Sequence, residues 1–343
     1  MDNNIFLIPF LVSFFLAAVL LAAIIGFIRG KEIESEDKRS SSRHIHLSKT
    51  TRFGGVAIIL SFILTLLLNH NLVISPQLFW VFVLSGAILI FGTLDDIWQL
   101  SWKQQLVFQI LISLLVFLFG FRLEYVTNPF GGIFLFESWT GYLFNLVLVI
   151  AWILLIINAM NWVDGIDGVS GGISAIGALA IFFVSLRPEV NQPPVGIISM
   201  ALLGAILAFV VFNFNPAKIM AGTSGSVFMG FILACLALFA GAKIATTMLV
   251  LAIPIIDALW VIFERLGSHS SVFMPDKRHL HYRLLKLGWT QRRICLFYWF
   301  LTGLIAVAAL GAGAIGKLTI FFVVFLLMLV FYIAILRKKP SYA

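Results

Sequence analysis

The chain has 343 residues, of which 61% are hydrophobic and only 11% are charged. Soluble domains have about 45–50% apolar and about 25% charged residues, so an ordinary soluble enzyme and a disordered chain are excluded. The net charge of +8 fits the basic cytoplasmic loops of a membrane protein better than a nucleic-acid partner. The composition therefore indicates a helical membrane protein with several spans.

Eleven apolar segments are candidate membrane spans, for which about 20 residues each are expected. The first follows no basic region and precedes no small-residue cleavage site, so we expect a retained span rather than a signal peptide. The predicted fold class is all-α, with one integral-membrane domain over residues 1–343. The predicted spans are about 5–28, 53–69, 77–94, 104–120, 142–157, 168–186, 195–213, 225–241, 244–263, 294–312 and 317–336.

The basic residues are divided unequally between the two sets of alternate loops. One set and the C-terminal tail hold 19 of the 23 Lys and Arg residues, and the other set holds four. The richer set is expected in the cytoplasm, with the N-terminus outside and the C-terminus inside. We therefore predict a multi-pass protein of the inner (plasma) membrane. Its active site would lie on the cytoplasmic face, in loops 29–52, 95–103, 158–167, 214–224 and 264–293.

Carboxylates gather on the same predicted face. Asp95 and Asp96 end the third span, and Lys103 follows at the start of the fourth. Asn and Asp then recur every three residues, at Asn158, Asn161, Asp164 and Asp167. Carboxylates at membrane depth are costly and indicate function, and short carboxylates suit Mg²⁺ that is shared with substrate phosphates. The structural alternatives are a solvated helix end for the aspartate pair and Asx turns for the second segment.

Three further segments hold potential anion-binding groups. Residues 222–226, Gly-Thr-Ser-Gly-Ser, precede a helix whose amides could face an anion, although a plain Ser/Thr N-cap has the same sequence. Residues 274–288 concentrate cations and histidines that suit a pyrophosphate, although topology alone also requires basic residues there. The first large loop is ambiguous between an orientation signal and an anion site; its groups are Arg43, His44, His46, Lys49 and Arg52.

Taken together, these segments resemble the polyprenyl-phosphate N-acetylhexosamine-1-phosphate transferase superfamily. The most similar branch is the bacterial one that transfers GlcNAc-1-phosphate from UDP-GlcNAc to undecaprenyl phosphate. The resemblance covers nearly the whole chain, with the motifs in the family's order. They are Arg43, His46, Arg52 and Gly54–Gly55, the pair Asp95–Asp96, the complete segment Asn158–Gly168, Phe212–Ile219, Pro254–Asp257 and His279–Leu285.

The sequence departs from the family pattern at two positions. Thr223 stands where the family usually has an Asp that looks like a Mg²⁺ ligand, and a neutral hydroxyl is a weaker ligand. Tyr282 stands where the family often has a third His, and Tyr can donate a hydrogen bond but is not cationic. With Thr223 in place of the Asp, either Asp95, Asp96 and the substrate phosphates hold Mg²⁺ with less help, or the activity of the enzyme is attenuated.

The resemblance implies a Mg²⁺-dependent transferase, in which Mn²⁺ could replace Mg²⁺. Its partners would be UDP-GlcNAc, undecaprenyl phosphate and the lipid bilayer; a homodimer is compatible with the sequence. Catalytic roles are implied for Asp95, Asp96, Asp164, Asp167 and His279. Metal contacts are implied for Asp95, Asp96 and Asp167, with Thr223 in question. Substrate-binding roles are implied for Lys49, Arg52, Lys103, Asn158, Asn161, Asn213, Lys218, His281 and Arg283. Of these, Asn158 is expected farther from the reacting atoms, as is Asp257.

Three other functions remain open at this point. A phospho-MurNAc-pentapeptide transferase of peptidoglycan synthesis belongs to the same class, but the His279–Leu285 segment and the basic first loop argue against it. A transporter or lipid flippase predicts ionisable residues at mid-membrane and on both sides, whereas here they gather on one side. A catalytically inactive relative is favoured only by Thr223.

Overall fold

The computed structural model describes residues 4–29, 50–123, 125–128, 130–136, 138–239, 244–269, 271 and 277–337. Lys49 and the other first-loop residues Arg43, His44 and His46 lie outside the described residues. The elements are α1 Asn4–Arg29, α2 Gly54–Leu67, α3 Pro76–Trp98, α4 Trp102–Leu118, β1 Tyr125–Thr127, β2 Ile133–Leu135, α5 Trp139–Val163, α6 Val169–Ser185, α7 Pro193–Asn213, α8 Gly222–Phe239, α9 Ile244–Val250, α10 Ala252–Gly267, α11 Leu280–Lys286, α12 Gln291–Gly311 and α13 Ala314–Arg337. The predicted all-α class is confirmed.

Within the described residues, seven helices are long and apolar enough to cross a membrane, or eight if α9 and α10 form one bent span. The chain is therefore a multi-pass membrane protein. Helices α2, α4 and α6 are also apolar and lie in predicted spans, but they have only 14, 17 and 17 residues. At 1.5 Å per residue they measure about 21–26 Å, less than the bilayer core of about 30 Å. Eleven spans, and their orientation, stay predictions.

The structure differs from the predicted elements in two places. The predicted ninth span, 244–263, is broken at Leu251, where α9 and α10 meet at a 76° bend. Pro254 lies in the first turn of α10, where its missing N–H is tolerated, so the sequence favours a new helix start there. The loop between α4 and α5 contains a small antiparallel hairpin, in which Val126 pairs with Phe134. Its three residues per strand gave too short a pattern to predict.

Serine caps begin the helices on both sides of the Asp95–Asp96 segment. The Ser75 hydroxyl accepts from the Leu78 amide at the start of α3, where Pro76 takes the first helical position. Ser101 and Gln104 form a reciprocal capping box at the start of α4. These contacts satisfy amides that a helix start leaves unpaired. The capping box at Ser101 thereby fixes the start of α4 shortly after the aspartate pair.

Helix α8 lies at the centre of the fold, packed against α2, α3, α5 and α6. Two glycines bring neighbouring helices onto the backbone of its first turn. A Cβ added at Gly55 of α2 would lie 2.1 Å from the Gly225 nitrogen, and one at Gly92 of α3 would lie 2.4 Å from the Ser224 Cα. Contacts this close require glycine. They hold the end of α3 beside the start of α8.

Candidate active site

The aspartate pair at the end of α3 contacts the start of α8. The Thr223 hydroxyl donates to Asp95 Oδ2 at 2.6 Å, and the Thr223 amide donates to Asp96 Oδ1 at 2.8 Å. The Ser224 amide and hydroxyl lie 3.3 and 3.4 Å from Asp96 Oδ2. Asp96 thus accepts from the first amides of α8, where the helix dipole also favours negative charge. The residues that the sequence placed in separate loops form one cluster.

Gly222 joins this cluster to the first loop. Its φ of +70° lies in the left-handed region, where glycine is favoured. A Cβ at this position would lie 2.2 Å from the Arg52 carbonyl oxygen and 2.4 Å from Asp96 Oδ2. Next to it, the Gly54 amide donates to the Met220 carbonyl at 2.9 Å. The strand-like contact between 51–55 and 219–221 therefore places Arg52 at the aspartate pair.

Gln105 contacts Asp95, whereas Lys103, which follows the aspartate pair in the sequence, does not lie against it. Gln105 Nε2 donates to Asp95 Oδ1 at 2.9 Å. The exposed Lys103 side chain instead has its ammonium 5.7 Å from the centroid of the Trp102 ring. Gln105 is one helical turn into α4 and faces α3, whereas Lys103 faces away. Both oxygens of the buried Asp95 carboxylate therefore have a neutral donor.

The Asn158–Asp167 segment runs from the end of α5 into the loop before α6. Asn161 Oδ1 accepts from the Ser226 hydroxyl at 2.9 Å, which brings it to the first turn of α8. Asp164 accepts from the Ser170 hydroxyl. Asn158 instead donates to Gln109 Oε1 at 2.8 Å and bridges α5 to α4. Asn161 thus contacts the start of α8, Asp164 is held by the start of α6, and Asn158 links two helices.

Asp167 connects this loop to the Phe212–Ile219 segment. Its Oδ2 accepts from Asn215 Nδ2 at 2.8 Å and from the Ala217 amide at 3.0 Å. Asn213 Oδ1 accepts from the Gly168 amide at 2.8 Å, while its Nδ2 donates to the Ile219 carbonyl at 2.8 Å. Buried polar groups with several partners hold one arrangement. In this structure Asp167 and Asn213 fix the two loops to each other.

The His279–Leu285 segment packs against the same loop. Its first residue, His279, is held by Asp257, since Nδ1 lies 2.9 Å from Asp257 Oδ2. The rings of His281 and Tyr282 cover Gly165, where a Cβ would lie 2.6 Å from His281 Nε2 and 2.7 Å from the Tyr282 hydroxyl. A larger residue at position 165 would displace one or both rings. The histidines therefore lie beside the Asp164 and Asp167 loop, as the sequence predicted for one common site.

The basic residues assigned to phosphate binding lie in different environments. Arg283 forms an ion pair with Glu264, and its guanidinium lies 5.5 Å from the Tyr332 ring centroid. Lys218 is exposed beside the Phe212–Ile219 segment. Arg283 is therefore oriented by the protein itself, whereas Lys103 and Lys218 are open to solvent.

Asp164 follows directly after α5, which ends at Val163. Withdrawal from water raises the pKa of Asp164 to about 7, an effect that the hydrogen bond from Ser170 opposes. The charge of Asp96 raises this pKa further and that of Arg52 lowers it. Crowded carboxylates of this kind favour a nearby cation, because a positive charge stabilises their ionised forms.

Across the described part of the chain, no three His, Cys, Asp or Glu side chains converge as a metal-ligand group. The available set is the adjacent carboxylates Asp95 and Asp96, with the Thr223 hydroxyl on Asp95. Mg²⁺ is commonly held by one or two carboxylates while water and substrate phosphates complete its shell. The residues therefore fit a shared substrate–Mg²⁺ site rather than an all-protein cage.

Several contacts in the site were missing from the sequence interpretation. Gln105, Ser226 and Tyr332 each donate to one of the motif residues, namely Asp95, Asn161 and Asp257. Gln105 and Ser226 lie within one or two turns of recognised motif residues, which was the available signal. Tyr332 lies in the last apolar helix, and nothing in its surroundings distinguishes it in the sequence.

These features define a multi-pass membrane protein with a polar, carboxylate-rich site where the ends of α3 and α5 meet the start of α8. The sequence model for glycosyl transferase family 4 matches residues 78–241, which include the aspartate pair and the Asn158–Gly168 segment. The chain belongs to this family, within the polyprenyl-phosphate hexosamine-1-phosphate transferase superfamily, and is a transferase.

Curated relatives of two kinds are similar to the chain. A Mycobacterium tuberculosis (strain H37Rv) protein named decaprenyl-phosphate N-acetylglucosaminephosphotransferase is 32% identical, over 78% of this chain and 73% of the relative. A Bacillus subtilis protein named "probable undecaprenyl-phosphate N-acetylglucosaminyl 1-phosphate transferase" is 27% identical, over 84% and 80%. The Bacillus subtilis phospho-N-acetylmuramoyl-pentapeptide-transferase is 28% identical, over 90% and 97%.

Proposed function

We propose that the protein transfers N-acetylhexosamine-1-phosphate, in particular GlcNAc-1-phosphate, from a UDP-sugar to undecaprenyl phosphate, in a Mg²⁺-dependent reaction that releases UMP. The observation that carries this proposal is the Asp95–Asp96 pair against the first turn of α8, with the Asp164 and His279 segments converging on it. The names of the relatives, which refer to undecaprenyl or decaprenyl phosphate and a sugar phosphate, support the same class of substrate. The product would initiate synthesis of a cell-envelope glycan.

In the proposed reaction, an oxygen of the lipid phosphate attacks the β-phosphorus of the UDP-sugar. A new P–O bond joins the sugar phosphate to the lipid as a pyrophosphate, and the bond from the β-phosphorus to the bridging oxygen breaks. UMP leaves with that oxygen and its electron pair. A lipid phosphate is largely ionised at neutral pH, so a strong base is not required. Such transfers depend mainly on positioning and charge stabilisation.

Asp95 and Asp96 would hold Mg²⁺ together with substrate phosphates. Bound there, Mg²⁺ supplies charge neutralisation for the pyrophosphate. Arg52 lies at the same cluster and would bind a phosphate oxygen, as would Lys49 from the first loop. Asn161 and Asp164 are proposed to contact the nucleotide-sugar, and Asp167 holds the loop that follows them. The exposed Lys103 and Lys218 are proposed to attract the anionic substrates by long-range charge.

We place this site on the cytoplasmic side of the inner membrane, where UDP-sugars are made. The proposal rests on the 19 basic residues assigned to that side and on eleven spans. The site residues described above all belong to those loops or to the helix ends beside them. An extracellular site would put most of the basic charge on the wrong side of the membrane.

A MurNAc-pentapeptide donor is the second candidate, because the relative with that name matches over 97% of its own length. A paired assay separates the two candidates. Purified protein is supplied with undecaprenyl phosphate, Mg²⁺ and either UDP-GlcNAc or UDP-MurNAc-pentapeptide. We expect kcat/KM for UDP-GlcNAc to be at least about 100-fold higher, as expected when a site is built to bind one set of polar groups. A higher value for the pentapeptide would contradict the GlcNAc assignment.

The position of Thr223 predicts a site with attenuated metal affinity. Thr223→Asp would place a third carboxylate beside Asp95, where its charge repels the pair in the absence of a cation and attracts Mg²⁺. We expect Mg²⁺ to bind about tenfold more tightly and to raise Tm more than in the wild type, since one further charge interaction contributes about 1.4 kcal/mol. Thr223→Asn is the control of equal shape and should show neither effect. Unchanged Mg²⁺ affinity in Thr223→Asp would place the metal elsewhere.

A further inference from the structure

The Asp257 carboxylate links helix α10 to the start of α11 and to α13. Asp257 lies in α10 and is 1% exposed. Its Oδ2 lies 2.9 Å from His279 Nδ1, and its Oδ1 accepts from the Leu280 amide at 2.8 Å and from the Tyr332 hydroxyl of α13. A buried carboxylate is costly unless it is paired and hydrogen-bonded, and here three donors satisfy it.

Asp257 controls both the backbone and the side chain of His279. His279 is the N-cap residue of α11, and the Leu280 amide that Asp257 accepts is the first of that helix. The same carboxylate holds the imidazole. Because an ionised carboxylate only accepts hydrogen bonds, Nδ1 must carry the proton and Nε2 must face away from Asp257.

The His279 ring also contacts residues next to the proposed site. The ring centroid lies 5.7 Å from that of Trp162, which precedes Asp164 by two residues. It also lies 5.8 Å from the centroid of His281, with the two rings almost parallel, and His281 covers Gly165. His279 therefore lies in ring contact with residues on both sides of the Asp164 and Asp167 loop.

Tyr332 brings the last helix into this arrangement. Most of α13 is exposed on the protein surface, but Tyr332 is fully buried. Its ring stacks on Trp260 at 4.8 Å between centroids, and the Arg283 guanidinium lies 5.5 Å from it. The contacts with Trp260 and Arg283 thus hold the Tyr332 ring in place. Its hydroxyl then has a fixed position from which it donates to one oxygen of the Asp257 carboxylate.

We propose that Asp257 and Tyr332 are positioning residues that set the tautomer and orientation of His279 for sugar-phosphate transfer. The catalytic consequence rests on the proposed function, whereas the tautomer itself does not. Carboxylate partners behind metal-bound imidazoles act in this way, and their loss costs about 10–100-fold in metal affinity or activity. We expect a loss in the same range here. The last membrane helix then belongs to the catalytic apparatus and is more than a membrane anchor.

Asp257→Asn is the sharpest test, because it keeps the shape and reverses one hydrogen bond. Oδ1 is held by the Leu280 amide and the Tyr332 hydroxyl, so the new NH₂ group would face His279. It would donate to Nδ1 and force the proton to Nε2. Nitrogen-15 NMR of histidine-labelled protein in detergent would detect this change, with the His279→Gln variant used to assign the signal. An unchanged His279 tautomer in Asp257→Asn would overturn the proposal.

Activity measurements test the coupling between the two residues. We expect Asp257→Asn to lower kcat about 10–100-fold in the wild-type background. In the His279→Gln background the same change should have less than about a twofold effect, because residues that act as a unit are not additive. Equal losses in both backgrounds would mean that Asp257 acts independently of His279 and would overturn the proposal.

Tyr332→Phe and Tyr298→Phe form a matched pair of hydroxyl deletions. Tyr298 is also fully buried, but its hydroxyl has no hydrogen-bond partner among the described residues. We expect Tyr332→Phe to lower kcat by about 3–10-fold and Tyr298→Phe by less than about twofold. Equal effects of the two variants would overturn the role of Tyr332. If the wild-type protein transfers no sugar phosphate, the proposed function fails, while the NMR measurement still decides the tautomer.

Discussion

Asp95→Asn is expected to lower sugar-phosphate transfer by about 10²–10³-fold with little change in thermal stability, because it removes one of the two carboxylates proposed to hold Mg²⁺ at the substrate phosphates. The two donors to Asp95 can both adapt to an amide. The Thr223 hydroxyl can rotate to accept, and the Gln105 amide can turn its oxygen toward the new NH₂ group. The fold therefore tolerates this change, and the loss of rate measures the carboxylate charge.

Asp96→Asn should lower transfer to a similar extent, but it should also destabilise the protein. The partners of Asp96 include the backbone amides of Thr223 and Ser224, which cannot turn into acceptors. One of them would then face an NH₂ group, at a cost of about 1–3 kcal/mol. Thermal unfolding in detergent together with the transfer assay separates the two variants. Equal Tm losses in both would contradict the hydrogen bonds described here.

Glu189→Gln is the matched control for both aspartate variants. Glu189 is exposed in the loop between α6 and α7, on the side predicted to face outward. The Glu189→Gln variant loses one negative charge far from the site and should keep the wild-type transfer rate. If Asp95→Asn retains more than about a tenth of that rate, the aspartate pair is not the catalytic centre.

Gly92→Ala is expected to damage both stability and activity. The added methyl would lie 2.4 Å from the Ser224 Cα, and backbone on both helices blocks its escape. Overpacking of this kind costs about 1–3 kcal/mol and would push α3 away from α8. Because the shift separates Asp95 and Asp96 from Thr223, we expect loss of transfer as well as a lower Tm.

Gly86→Ala in the same helix is the internal control. A Cβ at Gly86 meets nothing within 4 Å. Alanine favours the helix by about 1 kcal/mol relative to glycine, so this variant should be as stable as the wild type or more stable. Both variants are compared by thermal unfolding and by transfer rate. Equal behaviour of the two would contradict the close contact of α3 with α8.

The sequence located the elements well because apolar segments and serine caps are local signals. The predicted third span, 77–94, compares with α3 at Pro76–Trp98, and the predicted seventh, 195–213, with α7 at Pro193–Asn213. The break at Leu251 was missed because hydropathy is continuous across it, although Pro254 marks it. An apolar window detects a hydrophobic segment but does not measure the length of its helix. The short length of α2 was therefore not predicted.

The candidate site was predicted as a set of motifs but not as a set of contacts. The structure brings Asp95, Asp96 and Thr223 together, as their motifs suggested. Sequence spacing could not distinguish Lys103 from Gln105 as the neighbour of Asp95, because the choice depends on which face of α4 meets α3. The role of Tyr332 could not be predicted from the sequence, because its contact with Asp257 joins residues 75 positions apart. Contacts of this kind depend on how distant helices pack, and a local sequence pattern does not record that packing.

The most direct test of the proposed reaction follows the sugar phosphate itself. Purified protein is incubated with undecaprenyl phosphate and UDP-GlcNAc carrying a labelled β-phosphate and sugar, with and without Mg²⁺. We expect both labels to enter the lipid together, one UMP to be released per labelled lipid, and the reaction to stop when Mg²⁺ is chelated. Transfer of the sugar without its phosphate, or release of UDP, would contradict the proposed displacement at the β-phosphorus.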